Sequence, residues 1–188
     1  DMRRGGVIAS ILRYNTDTPL QSVVSVSDKY HTSQGKSYGI IGAGNYTSSM
    51  VVPCLKKAKA DIRYIASAQG LSAKILAKSA EATFATSDYK EILSDVTVGL
   101  VVITTRHNLH APMVLEAIQA GKSVFVEKPL CLSIEEFERI KSAYHEAPNH
   151  VTLTVGFNRR FSPFAIKLKQ LVGDGAKNIV ATMNAGEI

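Results

Sequence analysis

The stretch that most constrains the fold is residues 37–50, SYGIIGAGNYTSSM, where a short apolar segment runs directly into Gly42, Ala43 and Gly44. Two glycines after a strand permit a tight turn and let a ligand approach the backbone. The first turn of a following helix offers N–H groups without intrahelical partners and the positive end of the helix dipole, and both favour a phosphate. The stretch therefore predicts the entrance to a mononucleotide-binding βα unit, although Gly-x-Gly alone also fits an ordinary turn.

Beyond this turn, apolar strands and amphipathic helices alternate along the chain. Strands are predicted at 62–68, 82–85, 99–104, 123–127 and 151–155, and helices at 46–59, 70–80, 88–93, 110–120 and 133–147. The continuous apolar run at 99–104 is typical of a parallel strand that is covered on both faces. The alternation predicts an α/β fold with a doubly wound parallel sheet, which is a Rossmann-like architecture.

The two ends of the chain depart from this alternation. Residues 7–14 have the β-branched content of a strand, residues 15–36 are rich in polar side chains, and the chain begins without Met. We expect residues 1–36 to be the tail of an upstream module plus a linker. Residues 37–157 form the predicted dinucleotide-binding domain. Residues 158–188 hold one helix and one strand-like segment, which cannot bury a core alone, so we expect the start of a second α+β domain.

Composition excludes several classes of protein. The 188 residues are 45% apolar and 20% charged, as in globular proteins, and no run reaches the roughly 18 apolar residues of a membrane span. With no signal peptide and two cysteines that suggest neither disulfides nor a metal site, we expect a cytoplasmic protein without a membrane partner. The net charge of +6 suits an anionic dinucleotide, and because the basic residues are scattered, nucleic acid is not an expected partner.

Ligands bind a doubly wound sheet at the carboxyl ends of its strands, so the residues that follow each strand are site candidates. After the second strand of the sheet, an NAD-specific site usually has an acidic residue about 20 residues beyond the glycines. The chain has Ser67 and Gln69 there instead. We therefore expect weak discrimination against a 2′-phosphate on the adenosine ribose.

Two further strand ends carry polar residues. The fourth strand runs into Thr104-Thr105-Arg106-His107-Asn108-Leu109-His110, whose side chains suit a ribose or nicotinamide, but Asn108 also fits a simple helix cap with both histidines in the first turn. The fifth strand ends at Glu127-Lys128-Pro129. A lysine there can donate to an oxygen that undergoes hydride transfer, or it can be a solvated strand end.

Several motifs, in this order and spacing, resemble the Gfo/Idh/MocA family (glucose–fructose oxidoreductase, inositol dehydrogenase and rhizopine catabolism). The motifs are Gly42-x-Gly44, Leu109-His110 with Glu116-Ala117 and Gly121-Lys122, Val126-Glu127-Lys128-Pro129-Leu130, and Gly156-Phe157-Asn158-Arg159-Arg160-Phe161. The resemblance implies an oxidoreductase that transfers a hydride between NAD or NADP and a hydroxyl of a sugar, sugar nucleotide or cyclitol. It also implies a second domain for substrate and oligomer contacts, so a homo-oligomer is a possible assembly.

The resemblance also assigns roles to individual residues. It implies that Lys128 is the catalytic lysine that meets substrate and nicotinamide, that Glu127 lies on the cofactor side, and that His110 belongs to the nicotinamide-side loop. The full set of predicted cofactor-binding residues is Gly42, Gly44, Asn45, Tyr46, Ser67, Gln69, Thr104, Thr105, Arg106, His107, His110, Glu127 and Lys128.

The chain departs from the family pattern in three places. Thr47 replaces the third glycine, so the helix is expected to lie slightly farther from the strand. Arg106 replaces a common proline, which changes the expected shape of its loop. The acid/base Asp and His of the family would lie beyond Ile188, so these 188 residues are expected to bind cofactor without turnover. A non-catalytic dinucleotide sensor or interaction module is the alternative. The leading segment is also similar to members with an alcohol-dehydrogenase-like module upstream.

Overall fold

One seven-stranded sheet, in the order β1-β4-β3-β2-β5-β6-β7, organises the structure, a computed structural model that describes residues 13, 21–27, 37–175, 177, 178, 180 and 182. The strands are β1 Val23–Ser25, β2 Ser37–Ile41, β3 Ile62–Ala66, β4 Phe84–Thr86, β5 Val98–Ile103, β6 Ser123–Glu127 and β7 Leu153–Gly156. All neighbouring strands are parallel except β1, which pairs antiparallel with β4. The strand order reverses between β2 and β5, as in a doubly wound Rossmann sheet, and the predicted fold class is confirmed.

Helices cover both faces of this sheet. They are α1 Val52–Lys57, α2 Gly70–Ala80, α3 Lys90–Ser94, α4 His110–Gln119, α5 Ile134–Glu146 and α6 Pro163–Val172. Alternate residues of a strand point to opposite faces, so Ile40 packs with α1 and α2, whereas Ile41 packs with the cluster that includes α4 and α5. None of the helices in the described part of the chain is long and apolar enough to cross a membrane.

Side-chain caps set where two of these helices begin. The Ser133 hydroxyl accepts the Glu136 N–H (3.2 Å) before α5, and the Ser162 hydroxyl accepts the Ala165 N–H (3.2 Å) before α6. The Glu136 carboxylate accepts the N–H of Leu132 (2.7 Å), one residue before the cap. Both helices therefore begin directly after a serine that caps their first turn.

The helix after the glycine turn begins differently from the prediction. Residues 45–57 are helical, but a wide π-type turn occupies Thr47–Val51 before the regular helix α1 begins. Pro53 lies in the first turn of α1. Because proline has no N–H to donate to the preceding turn, the wide turn accommodates it at a position where a regular helix would lose a hydrogen bond.

Val23–Ser25, inside the segment that the sequence analysis interprets as a linker, form the edge strand β1. Val23 pairs with Thr86, and Ser25 pairs with Phe84. The two β-branched valines of β1 pair with β4, which would otherwise be an open edge of the sheet. The polar residues on either side of these valines hid the strand pattern in the sequence. The strand predicted at 7–14 lies outside the described residues except Arg13. The strand-like segment predicted near the C-terminal end covers residues 177–184, and its described residues 177, 178, 180 and 182 are not in a strand.

Candidate functional site

The glycine turn connects β2 to the helical segment at the point where the strand order reverses. Gly42 has φ +115°, and a Cβ atom there would lie 2.7 Å from Thr104 Oγ1 and 2.9 Å from the Thr104 backbone. Gly42 is therefore required both by its conformation and by its close approach to the end of β5. At Gly44, a Cβ atom would meet no described atom within 4 Å. The space in front of the turn at Gly44 is open.

A hydroxyl pair holds this turn against β5. Thr47 is fully buried, and its Oγ1 lies 2.7 Å from Thr104 Oγ1. Thr104 Oγ1 also lies 3.3 Å from the carbonyl oxygens of Ile41 and Gly42. The residue at the third glycine position therefore contributes a hydrogen bond across the switch point, a contact that glycine cannot make.

A cleft of about 860 Å³ opens at this edge of the sheet. Seven of the predicted site residues line it: Tyr46, Thr104, Thr105, His107, His110, Glu127 and Lys128. They come from the glycine turn, the loop after β5 and the end of β6. The structure thus brings together three segments that are far apart in the chain.

Six further lining residues were not predicted as site residues: Met50, Gly156, Phe157, Asn158, Arg159 and Arg160. Five of them follow or end β7, the outermost strand next to β6. Because ligands bind at the carboxyl ends of strands, the same rule could have predicted from the sequence that the end of β7 belongs to the site. The Arg160 guanidinium lies 5.7 Å from the Phe157 ring centroid and 5.8 Å from that of Phe161.

The remaining predicted residues lie outside the cleft lining. Gly42, Gly44 and Asn45 form the turn behind it, and Arg106 lies in the loop after β5. Ser67 and Gln69 follow β3, which neighbours β2, so they belong to the same edge. Ser67 Oγ lies 2.9 Å from Ser72 Oγ, and the Gln69 side chain is exposed.

Cationic side chains dominate the cleft. Lys128, Arg159 and Arg160 line it, and Lys128 forms no hydrogen bond or ion pair with any described residue. Glu127 is the carboxylate in the lining, and it is already engaged within the protein. The cleft therefore presents an excess of positive charge, which favours an anionic ligand.

Glu127, Tyr46 and Asn158 form a hydrogen-bonded triangle. Asn158 Nδ2 donates to Tyr46 Oη and to Glu127 Oε1, each at 2.8 Å. Burial, followed by the hydrogen bond to Glu127 and its negative charge, raises the pKa of Tyr46 to about 12. The phenol therefore remains neutral at physiological pH, and the triangle ties the glycine turn to the ends of β6 and β7.

His110 supports the cleft from beneath. Its ring is fully buried, with Nδ1 2.6 Å from the Pro129 carbonyl oxygen and Nε2 3.1 Å from that of Thr105. Both ring nitrogens are thus engaged by the backbone, so neither faces a ligand. The His107 ring lies beside it, edge to face, with 5.7 Å between centroids.

A protein-family model described as an oxidoreductase family with an NAD-binding Rossmann fold, GFO_IDH_MocA, matches residues 36–157. The chain is 36% identical over 137 residues to the oxidoreductase YrbE of Bacillus subtilis. This match covers 73% of this chain and 40% of YrbE. It is 36% identical over 95 residues to the B. subtilis scyllo-inositol 2-dehydrogenase (NADP(+)) IolW, covering 50% of this chain and 26% of IolW.

Among solved structures, GenD2 from gentamicin A biosynthesis in complex with NAD matches with a TM-score of 0.67 and 28% sequence identity. The match covers 79% of this chain and 42% of GenD2. The chain thus spans less than half the length of each of these relatives.

Proposed function

We propose, from the premise that this chain belongs to the Gfo/Idh/MocA family of NAD-binding oxidoreductases, that its cleft binds NAD or NADP for hydride transfer to or from a carbohydrate hydroxyl carbon. The observation that carries the proposal is the placement of the open glycine turn and of Lys128 at one edge of the sheet, around one cationic cleft. Phosphate recognition and a hydrogen-bond donor for the reacting oxygen are then available together.

The residues present fit a dinucleotide. The space beyond Gly44 is open, and the amides at the start of the helical segment have no partners one turn earlier. Gly42, Gly44 and Asn45 would hold the diphosphate through backbone N–H groups. Ser67 and Gln69 would serve the adenosine ribose. Since neither side chain carries a negative charge to repel a 2′-phosphate, the proposal includes use of both NAD and NADP.

The other end of the cofactor would lie toward Lys128. Thr104, Thr105, Arg106 and His107 follow β5 and would contact the nicotinamide half. Bound NAD(P) supplies the carbon that accepts or donates the hydride.

Lys128 is exposed and, among the described residues, has no hydrogen-bond or ion-pair partner, so its ammonium is available to donate to the hydroxyl or carbonyl oxygen of the substrate. The Glu127 carboxylate oxygen Oε1 accepts a hydrogen bond from Asn158, so this oxygen does not compete with the substrate for the Lys128 ammonium. The proton acceptor for the substrate hydroxyl is expected in the second domain, as the family resemblance implies.

The proposed substrate class is a small sugar, sugar nucleotide or cyclitol. It is supported by the similarity to IolW, whose name gives scyllo-inositol as its substrate. Such substrates carry several hydroxyl groups and are matched by the polar and cationic donors that line the cleft.

A second candidate is a dinucleotide sensor without catalysis. It is favoured by one observation: among the described lining residues the carboxylate is Glu127, whose Oε1 is already bonded to Asn158, so no unengaged carboxylate faces Lys128. Because these 188 residues are themselves expected to bind cofactor without turnover, the test needs a longer chain that includes the expected second domain. Oxidation of inositol or a sugar by that chain with NAD or NADP would exclude the sensor, and cofactor binding without turnover would support it.

Calorimetric titration of the chain with NADH and NADPH tests cofactor binding. We expect micromolar or weaker binding of both, and a loss of about 100-fold or more for Gly44→Val, because its side chain would fill the space proposed for the diphosphate. The folded structure leaves room for that side chain, so the thermal unfolding midpoint is expected to stay within about 2 °C of the parent. Absence of heat with either dinucleotide and a folded parent would overturn the proposal.

A further inference from the structure

His110 occupies a position that the proposed reaction does not use directly. It is the first residue of α4 and is completely inaccessible to solvent. Its ring stands between two loops of the cleft, bonding to Thr105 in the loop after β5 and to Pro129, the residue after Lys128.

Both atoms that face the ring are backbone carbonyl oxygens, which only accept hydrogen bonds. A ring N–H therefore donates to one of them, and the other ring nitrogen lies within hydrogen-bond distance of the second. The ring is thus held between the two loops from both sides, and movement of either carbonyl oxygen would disturb a buried contact.

We propose that His110 is a positioning residue whose two ring nitrogens, through their contacts with the carbonyl oxygens of Pro129 and Thr105, fix the Lys128 end of β6 relative to the loop after β5. The inference rests on the proposed function, because Lys128 matters for catalysis only if the cleft transfers hydride. The contact of 2.6 Å between Nδ1 and the Pro129 oxygen acts one residue from Lys128. A shift of that carbonyl would therefore move the lysine backbone.

The wild-type chain without cofactor gives the first test. Nitrogen-15 NMR is expected to show a His110 ring N–H that exchanges slowly with solvent because it donates to a buried carbonyl oxygen, whereas the ring N–H of His107 exchanges rapidly. A His110 ring N–H that exchanges as fast as that of His107 would overturn the proposed contacts. Because no dinucleotide is present, this result does not depend on whether the cofactor proposal holds.

The second test compares His110→Phe with His107→Phe, two substitutions of the same kind at neighbouring rings. His110→Phe is expected to raise amide hydrogen exchange in residues 105–109 and 128–131 together, and to weaken NADH binding about tenfold, the equivalent of one hydrogen bond. Exchange in the interior of β5 and β6 is expected to remain slow. His107→Phe is expected to leave amide hydrogen exchange in both loops at the parental rate.

The outcomes separate positioning from general support of the fold. A folded His110→Phe with parental loop exchange and parental NADH affinity would overturn the proposal. So would an increase in exchange spread evenly over the sheet. If His110→Phe does not fold, His110→Gln retains one donor and is expected to protect one of the two loops. Failure of the parent to bind NADH contradicts the proposed function instead, and the exchange result still decides the positioning role.

Discussion

The two edges of the sheet carry similar charged side chains, but they differ in whether those side chains have partners within the protein. At the amino edge, Asp95 Oδ2 accepts from Arg63 Nε at 2.8 Å and from Tyr64 Oη at 3.1 Å. The other carboxylate oxygen accepts from the Thr97 N–H at 2.8 Å and from its hydroxyl at 2.6 Å. At this edge the charges have partners within the protein, and the Arg63 and Asp95 side chains are 27% and 14% exposed.

At the carboxyl edge, cationic side chains surround an open cleft. Lys128 is exposed, and among the described residues it has no partner. Lys122, only a few residues earlier, is 6% exposed and donates to the carbonyl oxygens of Asp95 (2.7 Å) and Val98 (3.0 Å). The comparison teaches that a buried charge in this fold is paired within the protein, whereas an unpaired charge lies where a ligand can supply the partner.

The strongest test of this contrast is Asp95→Ala. The change leaves the Arg63 guanidinium, Tyr64 and Thr97 without their shared acceptor, and it is expected to lower the free energy of unfolding by about 3 kcal/mol. Urea unfolding measures the loss, and Asp174→Ala, at an exposed position, is the matched control. NADH affinity of folded Asp95→Ala is expected to match the parent. A selective loss of affinity would show that the two edges are coupled.

A comparison of Lys122→Met with Lys128→Met sharpens the contrast within one residue type. Lys122→Met removes two hydrogen bonds to buried carbonyl oxygens and is expected to cost about 2 kcal/mol of unfolding free energy. Lys128→Met removes an exposed group and is expected to change stability by less than about 0.5 kcal/mol. For the binding of cofactor and substrate the order is reversed: Lys128→Met is expected to weaken binding more than Lys122→Met. Equal stability losses in urea unfolding would contradict the assignment of the two lysines.

The pH dependence of stability gives a smaller effect at the amino edge. Although partial burial opposes it, hydrogen bonds from Thr97 and Arg63 lower the pKa of Asp95 to about 2. A carboxyl whose folded pKa lies below its unfolded value of about 3.9 stabilises the fold above that value, and the benefit disappears as pH falls through about 2. Allowing for solvent screening, we expect a loss of about 1 to 2 kcal/mol between pH 5 and pH 2.

Asp95→Asn separates this contribution from that of the other carboxylates. The stability difference between parent and variant is expected to be largest near neutral pH and to shrink toward pH 2, where Asp95 becomes protonated. Guanidinium unfolding at several pH values measures it. A difference that stays constant with pH would contradict the linkage to Asp95.

The family and the fold class were predictable because both depend on short-range patterns. Alternating strands and helices predicted the doubly wound sheet, and the helix predicted at 133–147 begins after Ser133, whose side chain caps its own backbone. The edge strand at Val23–Ser25 was missed because its stability depends on pairing with β4, more than 50 residues away in the chain. The limits of the domains and the roles of the site residues stay predictions.

The candidate site was only partly predictable. Sequence position identified the residues after β5 and β6, but it did not show that Asn158 reaches both Tyr46 and Glu127, or that His110 faces inward. Those contacts join residues from different strand ends, and their distances depend on how the strands are ordered in the sheet. Local pattern carries no information about such distances.

The sequence by itself determined the alternation of strands and helices after the glycine turn, that turn at 42–44 and the family, because each depends on neighbouring residues and their spacing. The tertiary structure decided which charges are paired and which are available, since that depends on burial and on partners brought from distant segments. Lys122 and Lys128 are the same residue type at opposite ends of one strand, and only the fold places one against two carbonyl oxygens and the other in an open cleft.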